Sequence, residues 1–183
     1  MKIKSKYMRK LIILLTGIIS IMMTGCTELA KKEQLSEAES CVQLTKIIAD
    51  HPNKFAKHKQ KKRVVRHYVS WTTSSPFPTA KSCEIWEWST GLNSFICNWE
   101  QKNGIDSAKK AYQEGNQIIK SCLSDGWQVE SNKTSTGGEH SRYTKQDSKT
   151  IVSIRYFKPT GLFDNWKTMI YIGDKNNLNA KTQ

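Results

Sequence analysis

The chain lacks the short motifs that mark the common enzyme classes. It contains no G-x-S-x-G nucleophile elbow, no H-E-x-x-H metalloprotease helix and no phosphate-binding glycine loop. Glu84 and Glu87 lie near tryptophans, but strand alternation directs them to opposite faces, a poor arrangement for the carboxylate pair of a glycosidase. These absences favour binding over catalysis, so we expect a protein that is not an enzyme and needs no cofactor.

Metal-binding patterns are also missing. The cysteines form no close C-x-x-C pair, and the four histidines do not have the spacing of metal ligands. A metal site is therefore not expected.

No apolar run reaches the roughly 20 residues that a helix needs to cross a bilayer core. The run from Leu11 to Met23 is 13 residues long and includes Thr16, Gly17 and Ser20. It follows a basic, acid-free start and precedes a small residue and a cysteine. A basic zone, a short apolar zone and a small-residue exit are the layout of a secretory signal peptide.

The exit Met23-Thr24-Gly25-Cys26 resembles the lipobox of bacterial lipoproteins, in which a small residue precedes an invariant cysteine. The resemblance covers residues 1–26 only, and Met23 is permissible rather than preferred at its position. It implies a diacylglyceryl group on Cys26, cleavage after Gly25 and acylation of the new amine. Thr27, in place of Asp, implies an outer-membrane lipoprotein that faces the periplasm. The alternative is an ordinary signal peptide cleaved elsewhere, with Cys26 as a structural cysteine.

The domain organisation follows from these boundaries. We expect a signal peptide over residues 1–25, a lipidated tether over 26–34 and a single domain over 35–173. The polar residues 174–183 have the composition of a disordered tail. No internal repeat is visible in the sequence.

Acidic residues are absent between His51 and Cys83, where eight basic residues lie. A Lys or Arg close to an anionic membrane surface contributes about 1 kcal/mol of attraction. The expected partners are therefore anionic lipid, an anionic glycan or an acidic protein, whereas an exported chain would rarely meet nucleic acid. The alternative is a solvated segment without a partner. The candidate binding residues of this basic segment are Lys57, Lys59, Lys61, Lys62, Arg63 and Arg66.

Hydrophobic spacing and turn residues predict an α+β fold, in which a mainly antiparallel sheet of about five to six strands packs against two helices. A capping box at Ser36 and Glu39 begins the first helix, whose apolar face includes Val42 and Leu44. The second helix is predicted over 105–123. Beyond the hairpin described below, strands are expected at 127–132, 139–145, 150–158 and 167–173.

Residues 51–82 are interpreted as a basic and Pro/Ser/Thr-rich connecting segment. Pro52 would end the first helix and could begin a second, basic helix that runs toward Tyr68. Residues 70–82 are expected to form an extended surface connection rather than a central strand.

The aromatic stretch over residues 83–99 predicts a β-hairpin around Gly91. Alternation places Trp86 and Trp88 on one face with Glu84, and Ile85 on the other. These two tryptophans are a candidate binding face for sugar rings or a partner protein. The alternative is that they form the core of a small sheet.

Four cysteines follow Cys26, an even number in an oxidising compartment, so disulfides are expected. Three connectivities are possible. We favour Cys83 with Cys97, which the hairpin would bring close to alignment, and Cys41 with Cys122, which would tie the two helices together. Oxidised cysteines also disfavour a thiol nucleophile working with His140.

These features together predict a non-enzymatic lipoprotein that acts as a binding or adaptor module for an envelope component or a protein partner. An inhibitor or immunity protein against a periplasmic toxin or hydrolase fits the same features. An envelope enzyme acting on glycan is the third possibility, and it depends on Glu84 and Glu87.

The lipobox makes a direct prediction for Cys26→Ser. The variant should leave the membrane fraction and lose fatty-acid labelling, because each buried CH₂ of an anchor contributes roughly 0.8 kcal/mol to membrane attachment. Cell fractionation and metabolic labelling measure both effects. The control Thr27→Ser keeps the cysteine and should remain labelled and membrane-bound. A Cys26→Ser protein that stays in the membrane would indicate an uncleaved helix instead.

Overall fold

The structure is a computed structural model, and it describes residues 36–73, 77–99, 104–159 and 165–175. Within these ranges the chain forms one eight-stranded antiparallel sheet and two α-helices. The α+β class is therefore confirmed, but the sheet has more strands than the expected five to six. Neither helix of the described ranges has the length and apolarity of a membrane span. The expected lipidation site Cys26, the tether and residues 176–183 lie outside the described residues.

The sheet is built from two meanders, each preceded by a helix. Helix α1 (Glu37–Asp50) is followed by two 3-10 turns and four strands, and helix α2 (Ile105–Cys122) is followed by four more. The strands are β1 (Lys59–Val65), β2 (Tyr68–Thr73), β3 (Ser82–Trp88), β4 (Asn93–Trp99), β5 (Trp127–Lys133), β6 (Glu139–Lys145), β7 (Thr150–Phe157) and β8 (Lys167–Asp174). Their order is β1-β2-β3-β4-β8-β7-β6-β5, so β4 and β8 join the two meanders at the centre.

The expectation of a basic helix after Pro52 is wrong. Residues 51–53 and 56–58 form 3-10 turns, and the chain then enters β1 and β2. The β-branched and aromatic residues Val64, Val65, Val69 and Trp71 favour a pleated strand. The lysines are compatible with it because β1 is an edge strand, where charged side chains reach solvent.

The interpretation of residues 70–82 as a surface connection is also wrong in part. Ser70–Thr73 complete strand β2, which lies between β1 and β3, and residues 74–76 lie outside the described residues. Strands β1 and β2 were not expected from the sequence, and they raise the strand count to eight. The expected tail begins too early as well, because Asp174 ends β8.

Both helices pack on one face of the sheet, the helix face. The capping box is confirmed, with Ser36 Oγ accepting from the Glu39 amide. Helix α1 buries Leu44 and Ile47 completely, whereas Val42 is 54 % exposed, so the expected apolar face is right at Leu44 and wrong at Val42. The reason is that α1 packs mainly against α2, which directs the row through Leu44 and Ile47 inward. Helix α2 approaches β7 closely at Gly115, where an added Cβ would lie 2.5 Å from Ile154 Cδ1.

Two disulfides link these elements with the connectivity favoured above. Cys41 in α1 is bonded to Cys122 at the end of α2. Cys83 in β3 lies directly opposite Cys97 in β4, and the two are bonded. The first bond holds the two helices together, and the second reinforces the hairpin.

The helix-to-helix disulfide should contribute strongly to stability. Its cysteines are 81 residues apart, so loop-closure entropy predicts that Cys41→Ala/Cys122→Ala loses about 4 kcal/mol of unfolding free energy. Both cysteines are only half-buried, so the substitution removes little packing. Urea unfolding of the double variant under oxidising conditions measures the loss. A change below about 1 kcal/mol would contradict the expectation.

Candidate functional site

The candidate site is the open face, the face of the sheet opposite the helix face. Because residues paired across antiparallel strands share a face, the register traces a row through Glu84, Ile96, Tyr171, Ser153 and Arg142. The neighbouring rows contain the tryptophans of β3 and the basic residues of β6 and β7. Among the described residues, neither helix contributes to the apolar cluster on this face.

At one end of the open face lies the aromatic cluster, Tyr68, Trp86 and Trp88. The Tyr68 ring centroid lies 4.7 Å from that of Trp86 and 5.4 Å from that of Trp88, and the two indoles are 5.6 Å apart. All three side chains are half-buried. The indole N–H groups of Trp86 and Trp88 donate to Glu84 and Ser94. The two indole N–H groups therefore have hydrogen-bond acceptors, and part of the ring surface stays accessible.

The centre of the open face is apolar. Ile96, Ile151 and Tyr171 are buried there, with Trp86 and Met169 packed against them. Trp86 belongs to both groups, so the aromatic cluster and this apolar centre form one continuous surface. Trp99, the third tryptophan of the hairpin, lies on the helix face within the main core.

The two glutamates of the hairpin are separated as alternation predicts. On the open face, Glu84 Oε2 accepts from Ser70 Oγ at 2.7 Å and from Trp86 Nε1 at 3.0 Å. On the helix face, Glu87 Oε2 accepts from Lys59 Nζ at 3.1 Å, and this bond lowers the pKa of Glu87. With the sheet between them, the two carboxylates cannot act on one glycosidic bond.

The basic segment does not form a single surface. Lys59 is 15 % exposed and is engaged by Glu87, and both Lys59 and Lys62 lie over the Trp71 ring, at 5.3 Å and 5.5 Å. Arg63 lies on the open face, with its guanidinium 3.7 Å from Glu84. The other three candidates, all exposed, are Lys57 in the second 3-10 turn, Lys61 in β1 and Arg66 in the β1–β2 turn.

The register of β1 is interrupted between Lys59 and Lys62, which marks a β-bulge. A bulge and charged side chains are the common means of protecting a sheet edge from unwanted pairing. Part of the charge in the basic segment therefore has a structural role.

A second charged group, the cationic cluster, consists of His140, Arg142 and Arg155. His140 in β6 lies directly opposite Arg155 in β7, and Arg142 lies opposite the buried Ser153. Arg155 stacks on Phe157, with its guanidinium carbon 4.4 Å from the ring centroid. The sequence suggests His140 only as a partner for a thiol and does not single out the two arginines.

Two buried polar atoms of the cationic cluster lack a hydrogen-bond partner. Arg142 Nε and His140 Nε2 are buried and have no hydrogen-bond partner, which typically costs about 1–3 kcal/mol for each group. Within the described ranges, neither arginine has a carboxylate within ion-pair distance. Glu130 is opposite Arg142 in register, and it accepts from Asn132 Nδ2 at 2.9 Å.

Burial and charge repulsion act together on His140. Burial, followed by the charges of Arg142 and Arg155, lowers the pKa of His140 to about 4. Burial also lowers the pKa of Arg155. The charge of Glu130 acts in the opposite direction and is the smallest of these contributions, so the nearby protein offsets the positive field of the cluster only in part.

One signal in the sequence could have located part of this cluster. In β7, Arg155 alternates with Val152, Ile154 and Tyr156 in a strand that is otherwise largely apolar. A charge in such a strand must lie on the face opposite the core, where a partner is needed. Its proximity to His140 and Arg142 depends on the β6–β7 register, which the alternation pattern does not contain.

A hydroxyl–imidazole–carboxylate chain lies on the helix face, with His51 and Thr150 buried and Asp174 partly exposed. His51 Nδ1 is 2.6 Å from Thr150 Oγ1, and His51 Nε2 is 3.4 Å from Asp174 Oδ2. Thr150 is 5 % exposed, so its hydroxyl is closed to a substrate. Thr150 and Asp174 pair at the ends of β7 and β8, and the chain links the end of α1 to that edge. We interpret it as structural.

Acidification should destabilise the protein through His140. Its folded pKa of about 4 lies below the ordinary 6.5, so the unfolded chain binds more protons between these values and stability falls as the pH falls through them. Because the ring is only partly buried, we expect a loss of about 1–2 kcal/mol between pH 7 and pH 4. Urea unfolding across this pH range measures it.

The variant His140→Gln should lose this component of the pH dependence. The same substitution at exposed His67, in the β1–β2 turn, is the matched control. If the two variants gave identical stability profiles against pH, His140 would not be the titrating group.

The comparisons with known proteins were negative: no protein-family model, no curated protein and no solved structure matches the chain. Within the described ranges, no group of three or more His, Cys, Asp or Glu residues could hold a metal ion.

Proposed function

We propose that this chain is a non-enzymatic lipoprotein of the bacterial envelope, anchored at the outer membrane through Cys26 and facing the periplasm. In this proposal it acts as a binding or adaptor module, and the open face is its binding surface. The partner is an anionic envelope component or a protein.

One observation carries the proposal: a continuous apolar and aromatic surface occupies the open face between two charged groups. The aromatic cluster and the buried centre share Trp86. Arg63 flanks one end of this surface, and the cationic cluster flanks the other. A surface with apolar, aromatic and cationic parts is suited to an amphiphilic anionic ligand.

The basic segment also supports this proposal, but with fewer available charges than the six candidate residues expected from the sequence. Lys59 is occupied by Glu87, and Arg63 lies 3.7 Å from Glu84, which leaves the exposed Lys61 and Arg66 at the sheet edge to attract an anionic surface. Each contributes about 1 kcal/mol when it lies close to such a surface. This attraction would concentrate the protein near its partner without determining which partner binds.

The proposal predicts that the open face is in contact with a partner in cells. A photo-cross-linking phenylalanine derivative at Tyr68 should form an adduct, because Tyr68 touches both indoles. In Trp86→Ala/Trp88→Ala, the yield of the adduct should fall about tenfold, which corresponds to about 1.4 kcal/mol of binding energy. Mass spectrometry of the adduct identifies the partner.

The same probe at Lys109 is the matched control, since that position is exposed on α2, on the other side of the sheet. Equal labelling at Tyr68 and Lys109 would contradict the open face as the binding surface. An adduct that forms only with a toxin or hydrolase added from outside would replace the adaptor role with the inhibitor role. Circular dichroism of the tryptophan variant verifies that it is folded.

A further inference from the structure

The cationic cluster has the features of an incomplete anion site. His140 and Arg155 face each other across β6 and β7, and Arg142 is in the adjacent row of β6 on the same face. Arg142 Nε and His140 Nε2 are buried without a partner. Arg142 Nε is a donor, and His140 Nε2 is a donor in the tautomer that carries its proton there. Buried polar atoms in native proteins almost always have a partner, so an orphaned pair at one place needs an explanation.

The protein itself supplies only part of the balancing negative charge, through the effect of Glu130 on His140. Among the described residues, no carboxylate lies within 4.0 Å of either guanidinium. Glu130 is the nearest acid by register, and its Oε1 accepts from Asn132. An external anion would accept from Arg142 Nε and from His140 Nε2 in its protonated tautomer, and it would offset the repulsion between the arginines.

We infer that His140, Arg142 and Arg155 bind the phosphate group of an anionic phospholipid, whose apolar part lies along the centre of the open face. Guanidinium groups bind phosphate through two parallel hydrogen bonds, and one phosphate has enough oxygens for both arginines and the imidazole. The stacking of Arg155 on Phe157 holds its guanidinium in place. The hydroxyl of Ser153, opposite Arg142, is a further donor in the same row.

The surface beside the cationic cluster favours a lipid over a free phosphate ion. Met169 lies opposite Arg155, and Tyr171 lies opposite Ser153. These two side chains continue directly into Ile96 and Trp86. A phosphate held by the arginines would therefore place an attached acyl chain against apolar side chains.

The inferred anchor also favours a lipid, and here the inference rests on the proposed function. Residues 26–34 can extend over at most about 30 Å, so a domain attached through Cys26 remains within that distance of a bilayer. The phosphate groups of that bilayer are then close to the domain.

The test is a binding titration of the full-length lipidated protein in a non-ionic detergent, followed by tryptophan fluorescence. The probes are dioctanoyl phosphatidylglycerol, dioctanoylglycerol, which lacks the phosphate, and inorganic phosphate, which lacks the chains. We expect saturable binding of phosphatidylglycerol, with affinity at least tenfold lower for each of the other two. Equal affinity for dioctanoylglycerol overturns the phosphate site, and equal affinity for inorganic phosphate overturns the lipid as its source.

The decisive variant is Arg142→Met/Arg155→Met, which removes both charges and keeps the apolar stems. It should bind phosphatidylglycerol at least thirtyfold more weakly. The matched control Lys109→Gln/Lys110→Gln removes two exposed charges from α2 and should stay within twofold of the unsubstituted protein. Unchanged binding in the methionine variant overturns the inference.

Thermal melting of the methionine variant distinguishes a loss of binding from a loss of folding. Without ligand, the methionine variant should melt at or above the temperature of the unsubstituted protein, because it no longer has uncompensated charges. It should also lose the upward shift caused by phosphatidylglycerol. If it fails to fold, Arg155→Lys replaces it, since Lys keeps the charge but not the paired hydrogen bonds, and unchanged binding there overturns the inference. If phosphatidylglycerol binding does not depend on the arginines but the probe at Tyr68 still forms its adduct, the inference fails and the proposed function is retained.

Discussion

The pairing of β4 with β8 is the interaction on which the rest of this structure depends. Six residue pairs, from Ser94 with Gly173 to Trp99 with Thr168, join two meanders that are each preceded by a helix. Six of the seven residues of β4 are buried. This pairing brings the tryptophans of β3 and the arginines of β6 and β7 onto one sheet, although they are distant in the sequence.

The sheet separates two kinds of chemistry. On the helix face, α1 and α2 cover a large apolar core, and the disulfide between Cys41 and Cys122 holds the two helices together. On the open face, apolar side chains lie beside aromatic and charged groups, two of which have unsatisfied donors. A face that only had to be soluble would gain stability by losing those buried, unpartnered polar atoms, which is why we propose it as the binding surface.

Charge in this protein has different consequences at the edge and in the interior of the sheet. The basic residues of β1 are conspicuous in the sequence, yet Lys59 is neutralised by Glu87 and the strand carries a protective bulge. Arg142 and Arg155 are inconspicuous in the sequence, but they are partly buried and have no ion pair within the described residues. Water screens an exposed charge, whereas a buried charge needs a partner, so the second group is the stronger indication of a ligand.

Local patterns in the sequence determined the helix start at Ser36, the strands from Trp127 onward and the opposite directions of Glu84 and Glu87, because each depends on neighbours a few residues apart. The helix expected in the basic segment is wrong: lysines are good helix formers, but Val64 and Val65 favour a strand and the edge position of β1 lets the lysines reach solvent. The cationic cluster was missed for a related reason. Its members come together through the β6–β7 register, and their lack of partners depends on what the whole sheet places around them. Burial and long-range pairing are properties of the tertiary structure, and no local pattern contains them.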